Sequence, residues 1–189
     1  MSLKYDLFIM PWHELTAKLL KGGNTLEFVS SLNAIPEEKA HFHRSMDFMA
    51  SLEKMGIRKK GIWSSLLSVF ETVSEEVPEN DPDYLALADV FSTLFWDWTS
   101  SHEATMELDI PNEKTEFVEL ALNRDTVRKL AGKAVSINLD NLEGMFNERG
   151  ASNQVMEDFE GFKEFAQDWI SCLDEAANHG YGLMIYCYV

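Results

Sequence analysis

Residues 157–178 carry an apolar residue at every third or fourth position, a spacing that places these side chains on one face of an α-helix. The apolar positions are Phe159, Phe162, Ala166, Trp169, Ile170, Leu173 and Ala177. Two glycines, Gly180 and Gly182, follow the helix. Behind them the segment LMIYCYV is rich in β-branched and aromatic residues and is too short to form a helix of its own. This part of the sequence therefore predicts a long amphipathic helix that packs on a sheet and leads into a terminal strand.

A second strand is predicted near the other end of the chain. Residues 4–10 (KYDLFIM) alternate and stop at Pro11, so we expect one sheet that contains both terminal strands. Between the two ends the apolar spacing is mostly near 3.6 residues, which indicates helices. The predicted helices span residues 12–21, a short segment from 24, and residues 36–55, 62–73, 82–98, 125–133 and 139–147.

Residues 102–110 change to a two-residue alternation, followed by PNEKT and the apolar segment EFVELAL. This pattern predicts a central β-hairpin. The alternative is that the preceding helix runs on, because His102 and Thr105 also fall near its apolar face. The fold class predicted for residues 1–189 is α+β, as a helix-rich single domain with a small mixed or antiparallel sheet.

The net charge limits the classes of partner. The chain has 16 Lys and Arg against 32 Asp and Glu, a formal charge of −16. Nucleic acids and anionic membranes need a basic surface, so both are excluded as expected direct partners. No uncharged stretch reaches the roughly 18 residues of a membrane span, and two cysteines without metal spacing are typical of a reducing compartment. We therefore expect a cytoplasmic protein. Its charge leaves basic proteins, cations and neutral small molecules as partners, and a basic protein is the one we expect.

The acidic residues are concentrated in two blocks. Residues 71–119 contain fourteen acidic residues and one lysine, and residues 157–175 contain seven and one. On the predicted last helix, the side opposite the apolar stripe carries Glu157, Glu160, Glu164, Asp168 and Glu175. This face is interpreted either as a solvated surface that keeps the protein soluble or as a docking surface for a basic partner. Trp96, about 160° around its helix from the core-facing Trp98, is a candidate interface anchor if it is exposed.

Motifs for catalysis are absent from the sequence. It contains no nucleophile elbow, phosphate loop or dinucleotide fingerprint, so no catalytic residue and no cofactor is assigned. The preferred hypothesis is a protein-binding domain, such as an immunity or inhibitor protein that neutralises a basic toxin. One alternative is a small metal-dependent enzyme or ligand-binding domain in which His102, Glu103 and Glu107 hold a metal. Another is a structural subunit of a homo-oligomer.

The last third of the chain also shows a family resemblance. The segments RDTVRKLAG, NLDNLEGMFN, DFEGFKEFAQDWISCLDEAANHG and YGLMIYCYV follow one another in this order. Together they resemble the YfbM-like family of uncharacterised bacterial proteins over roughly 65 residues. The resemblance implies an α+β fold, and it supplies neither an established activity nor a catalytic residue.

Overall fold

A three-stranded antiparallel sheet joins the two ends of the chain. The computed structural model describes residues 4–12, 46–57, 81–107, 118–150 and 158–188. The strands are β1 (Lys4–Pro11), β2 (Val118–Leu122) and β3 (Tyr181–Tyr188), in the spatial order β1-β3-β2. β1 pairs with β3 along its whole length, from Lys4 opposite Tyr188 to Pro11 opposite Tyr181. The predicted sheet of both terminal strands is confirmed, and it is antiparallel throughout.

The central strand β3 is buried on both of its faces. Leu183 and Ile185 belong to the main hydrophobic core, while Gly182 and Met184 on the opposite face are also buried. The indole of Trp12, just beyond the end of β1, lies over Gly182. Burial on both faces explains why this strand has a continuous apolar sequence and not the alternation of a strand with one wet face.

Five helices of nine or more residues accompany the sheet in the described part of the chain. They are α1 (Met46–Lys54), α2 (Pro82–Trp96), α3 (Trp98–Glu107), α4 (Arg124–Ala134) and α5 (Phe159–Asn178). Between α4 and α5 an irregular helical segment passes from a 3-10 turn (Leu139–Leu142) through three α-helical residues (Glu143–Met145) to a π turn (Phe146–Gly150). A uniform helix was predicted for residues 139–147, so helical structure is confirmed there and its regularity is not. The described chain is α+β.

The helix boundaries follow from local capping chemistry. After α1, Gly56 takes a φ of 83°, and Ile57 N donates to Leu52 O at 2.8 Å, which is a glycine-based C-terminal cap. The α2 N-terminus is capped by Asp81, whose Oδ1 accepts from the backbone N of Asp83 and Tyr84 at 2.9 and 3.0 Å. Both boundaries agree with the prediction.

The predicted central hairpin is wrong. Residues 102–107 belong to α3 and not to a strand, and β2 pairs with β3. Asp97 interrupts the preceding helix and starts a new one, since its carboxylate accepts from the backbone N of Thr99 and Ser100, both at 3.1 Å. The alternation was misleading because Met106, an inward position in a strand, is 67% exposed on the helix.

An aromatic cluster forms the centre of the core. The Phe48 ring contacts the rings of Phe91, Phe95, Phe162 and Phe165, with centroid distances of 4.6–6.1 Å. Such clusters combine large apolar burial with edge-to-face contacts worth about 0.5–1.5 kcal/mol each. This cluster links α1, α2 and α5 in one core.

The predicted apolar stripes are confirmed for α5 and only in part for α2. Every predicted position on α5 is buried, except Ala177, which is partly buried against the core. On α2 the sequence spacing predicts a stripe of Leu85, Ala88, Phe91, Leu94, Phe95 and Trp98. The prediction of Leu85 is wrong, because this side chain is 48% exposed and Tyr84 and Leu87 are buried instead. The Tyr84 hydroxyl donates to Met55 O at 3.0 Å, and burial raises the pKa of this hydroxyl while nearby Arg149 opposes the change.

Several predictions concern parts of the chain outside the described residues. These are the helices at residues 13–21, from residue 24 and at 62–73, the first part of the 36–55 helix, residues 108–117 of the hairpin, and Glu157.

Candidate protein-binding surface

The long helix α5 orients the candidate site because its opposite side is held in the core. Asp158 caps the N-terminus by accepting from Gly161 N at 2.9 Å. Nine side chains of α5 are buried, from Phe159 to Ala176, and the helix packs against α4 and β3. This burial fixes which residues of the helix face outward.

The outward side of α5 carries four of the five predicted acidic residues. Glu160, Glu164 and Glu175 are exposed and Asp168 is partly exposed. At 100° per residue these four lie within about 80° of one another around the helix axis. At 1.5 Å per residue they extend over about 22 Å. We refer to these four residues as the α5 acidic face.

One lysine lies beside the N-terminal end of this face, and its main partner comes from another element. Lys163 Nζ is 2.7 Å from Asp140 Oδ1 and 3.7 Å from Glu160 Oε1. The hydrogen bond with Asp140 raises the pKa of Lys163, and Glu160 adds to the effect. Asp140 is 23 positions away in the sequence, in the 3-10 turn, so helical periodicity gave no signal for this contact. Lys163 is thereby engaged by two acids at one end of the face.

The middle of the face has a different character. Within the described ranges no ion pair is formed by Glu164 or Asp168. These two side chains line an open hollow of about 350 Å³ together with Glu160, Lys163 and Gln167. The described lining carries three carboxylates and one lysine, so its chemistry suits a cationic side chain.

The spacing of the acidic residues lowers the intrinsic stability of α5. Like charges four residues apart, as in Glu160 with Glu164 and Glu164 with Asp168, each cost an isolated helix about 0.2–0.5 kcal/mol. Favourable interaction with the helix dipole covers only the first turn, which contains Glu160 but neither Glu164 nor Asp168. Local helix stability therefore does not account for the acids in the middle of α5.

In the other acidic block, the carboxylates that the structure describes are largely used inside the chain. Asp83 Oδ1 accepts from Asn138 N and its Oδ2 from Asn141 Nδ2, both at 2.7 Å, and these hydrogen bonds lower the pKa of the carboxyl. Asp89 pairs with Lys133 across the α2–α4 contact. These contacts connect α2 to α4 and to the segment after it.

Further acids of this block cap helices or join neighbouring elements. Asp81 and Asp97 are the N-caps of α2 and α3, and Glu107 Oε2 accepts from Asn123 Nδ2 at 3.0 Å. Asp97 is also buried, at 9% exposure. Because these carboxylates have intramolecular roles, the described part of residues 71–119 does not present a second all-acidic docking face.

Trp96, the predicted interface anchor, is less exposed than that prediction assumes. It is only partly exposed, packs against the core, and meets the Phe95 ring edge-on at a centroid distance of 5.9 Å. It also lies on α2, outside the residues that line the hollow on α5. The structure thus places Trp96 in a packing role next to Phe95.

The residues of the alternative metal site do not converge. His102, Glu103 and Glu107 are all exposed on α3, where 100° per residue separates His102 from Glu107 by about 140°. Across the described segments, no group of three or more His, Cys, Asp or Glu side chains is placed to hold a metal ion. The geometry gives the metal hypothesis no support at these positions.

Among the described helices, none is long and apolar enough to cross a membrane. Comparisons of the chain with protein-family models, curated proteins and solved structures find no match. The resemblance to the YfbM-like family therefore stays a prediction.

Proposed function

We propose that the chain is a protein-binding domain that docks a basic partner protein on the α5 acidic face. The observation that carries this proposal is the pair Glu164 and Asp168, which stand on a rigidly packed helix at a cost in helix stability and line an open hollow. Residues that reduce local stability without a local compensation are typical of functional surfaces.

The physical role of such a face is to select a partner and speed its approach. Concentrated like charge raises the association rate of an oppositely charged protein, and this effect weakens as salt screens the charges. In the finer form of the proposal, the domain is an immunity-type inhibitor that neutralises a basic toxin in the cytoplasm. The formal charge of −16 and the lack of recognised reaction motifs in the sequence support this form.

The decisive experiment reverses charge on the face and measures both binding and stability. The double variant Glu164→Lys/Asp168→Lys should lower affinity for the captured partner about tenfold at low salt, because two attractions of about 0.2–1 kcal/mol each become repulsions. The single variant Glu164→Lys should raise the free energy of unfolding by about 1 kcal/mol, because it replaces two like-charge pairs by opposite-charge pairs. Affinity is therefore also measured for Glu164→Lys alone. If this variant is more stable than the wild type and binds less well, its binding defect cannot be due to misfolding.

The matched control changes the same amount of charge elsewhere. Glu53→Lys/Glu103→Lys also adds four units of positive charge at exposed positions, on α1 and on α3. It should leave affinity within about twofold of the wild type. Pull-downs from the native host at low salt identify the partner, and titration calorimetry at two salt concentrations measures its affinity. Equal weakening by both double variants, or none by the α5 variant, would overturn the proposal.

The inhibitor form has its own test. We expect a neighbouring reading frame to encode a basic, toxic protein. Cells should tolerate expression of that protein only when this chain is co-expressed. If such a protein is toxic to the same degree with and without the chain, the inhibitor form is wrong, while binding by the α5 acidic face is still measured separately as above.

A further inference from the structure

We draw no further inference here: the strongest candidate, the small polar cavity of about 10 Å³ that Asp97, Ser101 and Glu119 line where α2, α3 and β2 meet, is an acidic cluster with room for about one water molecule and no second observation that indicates a ligand.

Discussion

Replacing Gly182 by alanine tests whether Trp12 covers the central strand. An ideal Cβ at position 182 would overlap Cε3 of Trp12, and would lie 2.8 Å from Cζ3 of the same ring and 3.0 Å from the backbone O of Leu122. Carbon atoms in contact are normally about 3.5–4.0 Å apart, so the indole has to move by about 1 Å or more. It cannot move freely, because Trp12 is itself buried and Leu122 belongs to the neighbouring strand.

The expected magnitude follows from two opposing effects. Overpacking a filled site costs about 1–3 kcal/mol. Replacing glycine by alanine returns about 0.4–1 kcal/mol by restricting the unfolded chain. The net loss is about 1–2 kcal/mol, which for a chain of this length lowers the melting temperature by about 2–8 °C.

The chain supplies a matched control for the same substitution. Gly132 lies in α4, is exposed, and has no heavy atom within 4 Å of an added Cβ. Gly132→Ala should therefore raise the free energy of unfolding by about 0.5–1 kcal/mol, through helix propensity. Urea denaturation followed by far-ultraviolet circular dichroism measures both variants. Opposite signs for one chemical change are the signature of the contact with Trp12.

Equal stability of Gly182→Ala and the wild type would refute the placement of the indole on β3. A double-mutant cycle provides the second check. In a Trp12→Ala background the cost of Gly182→Ala should fall by about 1 kcal/mol or more, because the obstructing ring is gone. An unchanged cost would show that the strain comes from the Leu122 backbone alone.

Three further predictions concern buried or capping polar groups. Asp97→Ala should lower the free energy of unfolding by about 1–2 kcal/mol through loss of the α3 cap, whereas Asp97→Asn should keep most of the wild-type stability. A urea titration that finds both variants equal to the wild type would contradict the capping role. Ser51→Ala should raise the free energy of unfolding by about 1 kcal/mol, since the Ser51 hydroxyl is fully buried with no hydrogen-bond partner within the described residues. A lower free energy of unfolding in the same urea titration would reveal such a partner. The pKa of Asp83 is lowered, so this carboxylate stabilises the folded state at pH values above its ordinary pKa of about 3.9, and the stabilisation is lost as pH falls through the folded-state pKa. Asp83→Asn should therefore flatten the decline of stability on acidification. An unchanged dependence of the melting temperature on acid pH would count against the Asn138 and Asn141 contacts.

The parts of the fold that the sequence predicts best are those decided by neighbours along the chain. The α5 stripe has a clear helical period, and the structure forms the helix with this stripe buried. The terminal strands were recognised from residue type and from the glycines that precede the second of them. The predicted helix end at residue 55 and helix start at residue 82 agree with the caps at Gly56 and Asp81, because capping involves residues only a few positions apart.

The parts that the sequence could not predict depend on residues far apart in the chain. The alternation around Met106 suits a strand, and only the Asp97 cap together with packing of α3 on β2 decides for a helix. The same limit applies to the candidate site. The total charge of residues 71–119 suggested an acidic surface, yet Asp89 is paired with Lys133, 44 positions later. Charge counted along the sequence cannot separate carboxylates that face a partner protein from those that hold the fold together.

The position of β3 has a consequence for how the chain folds. β1 and β2 do not pair with each other in the described sheet, and each pairs with β3, the last strand along the sequence. During synthesis both earlier strands must wait for residues 181–188 before their backbone groups find this partner. Pairing residues this far apart closes a very long loop, which is typical of slow folding and of transiently exposed strand edges. Removing β3 would therefore leave two apolar strands unpaired at once, and we expect the shortened chain to aggregate.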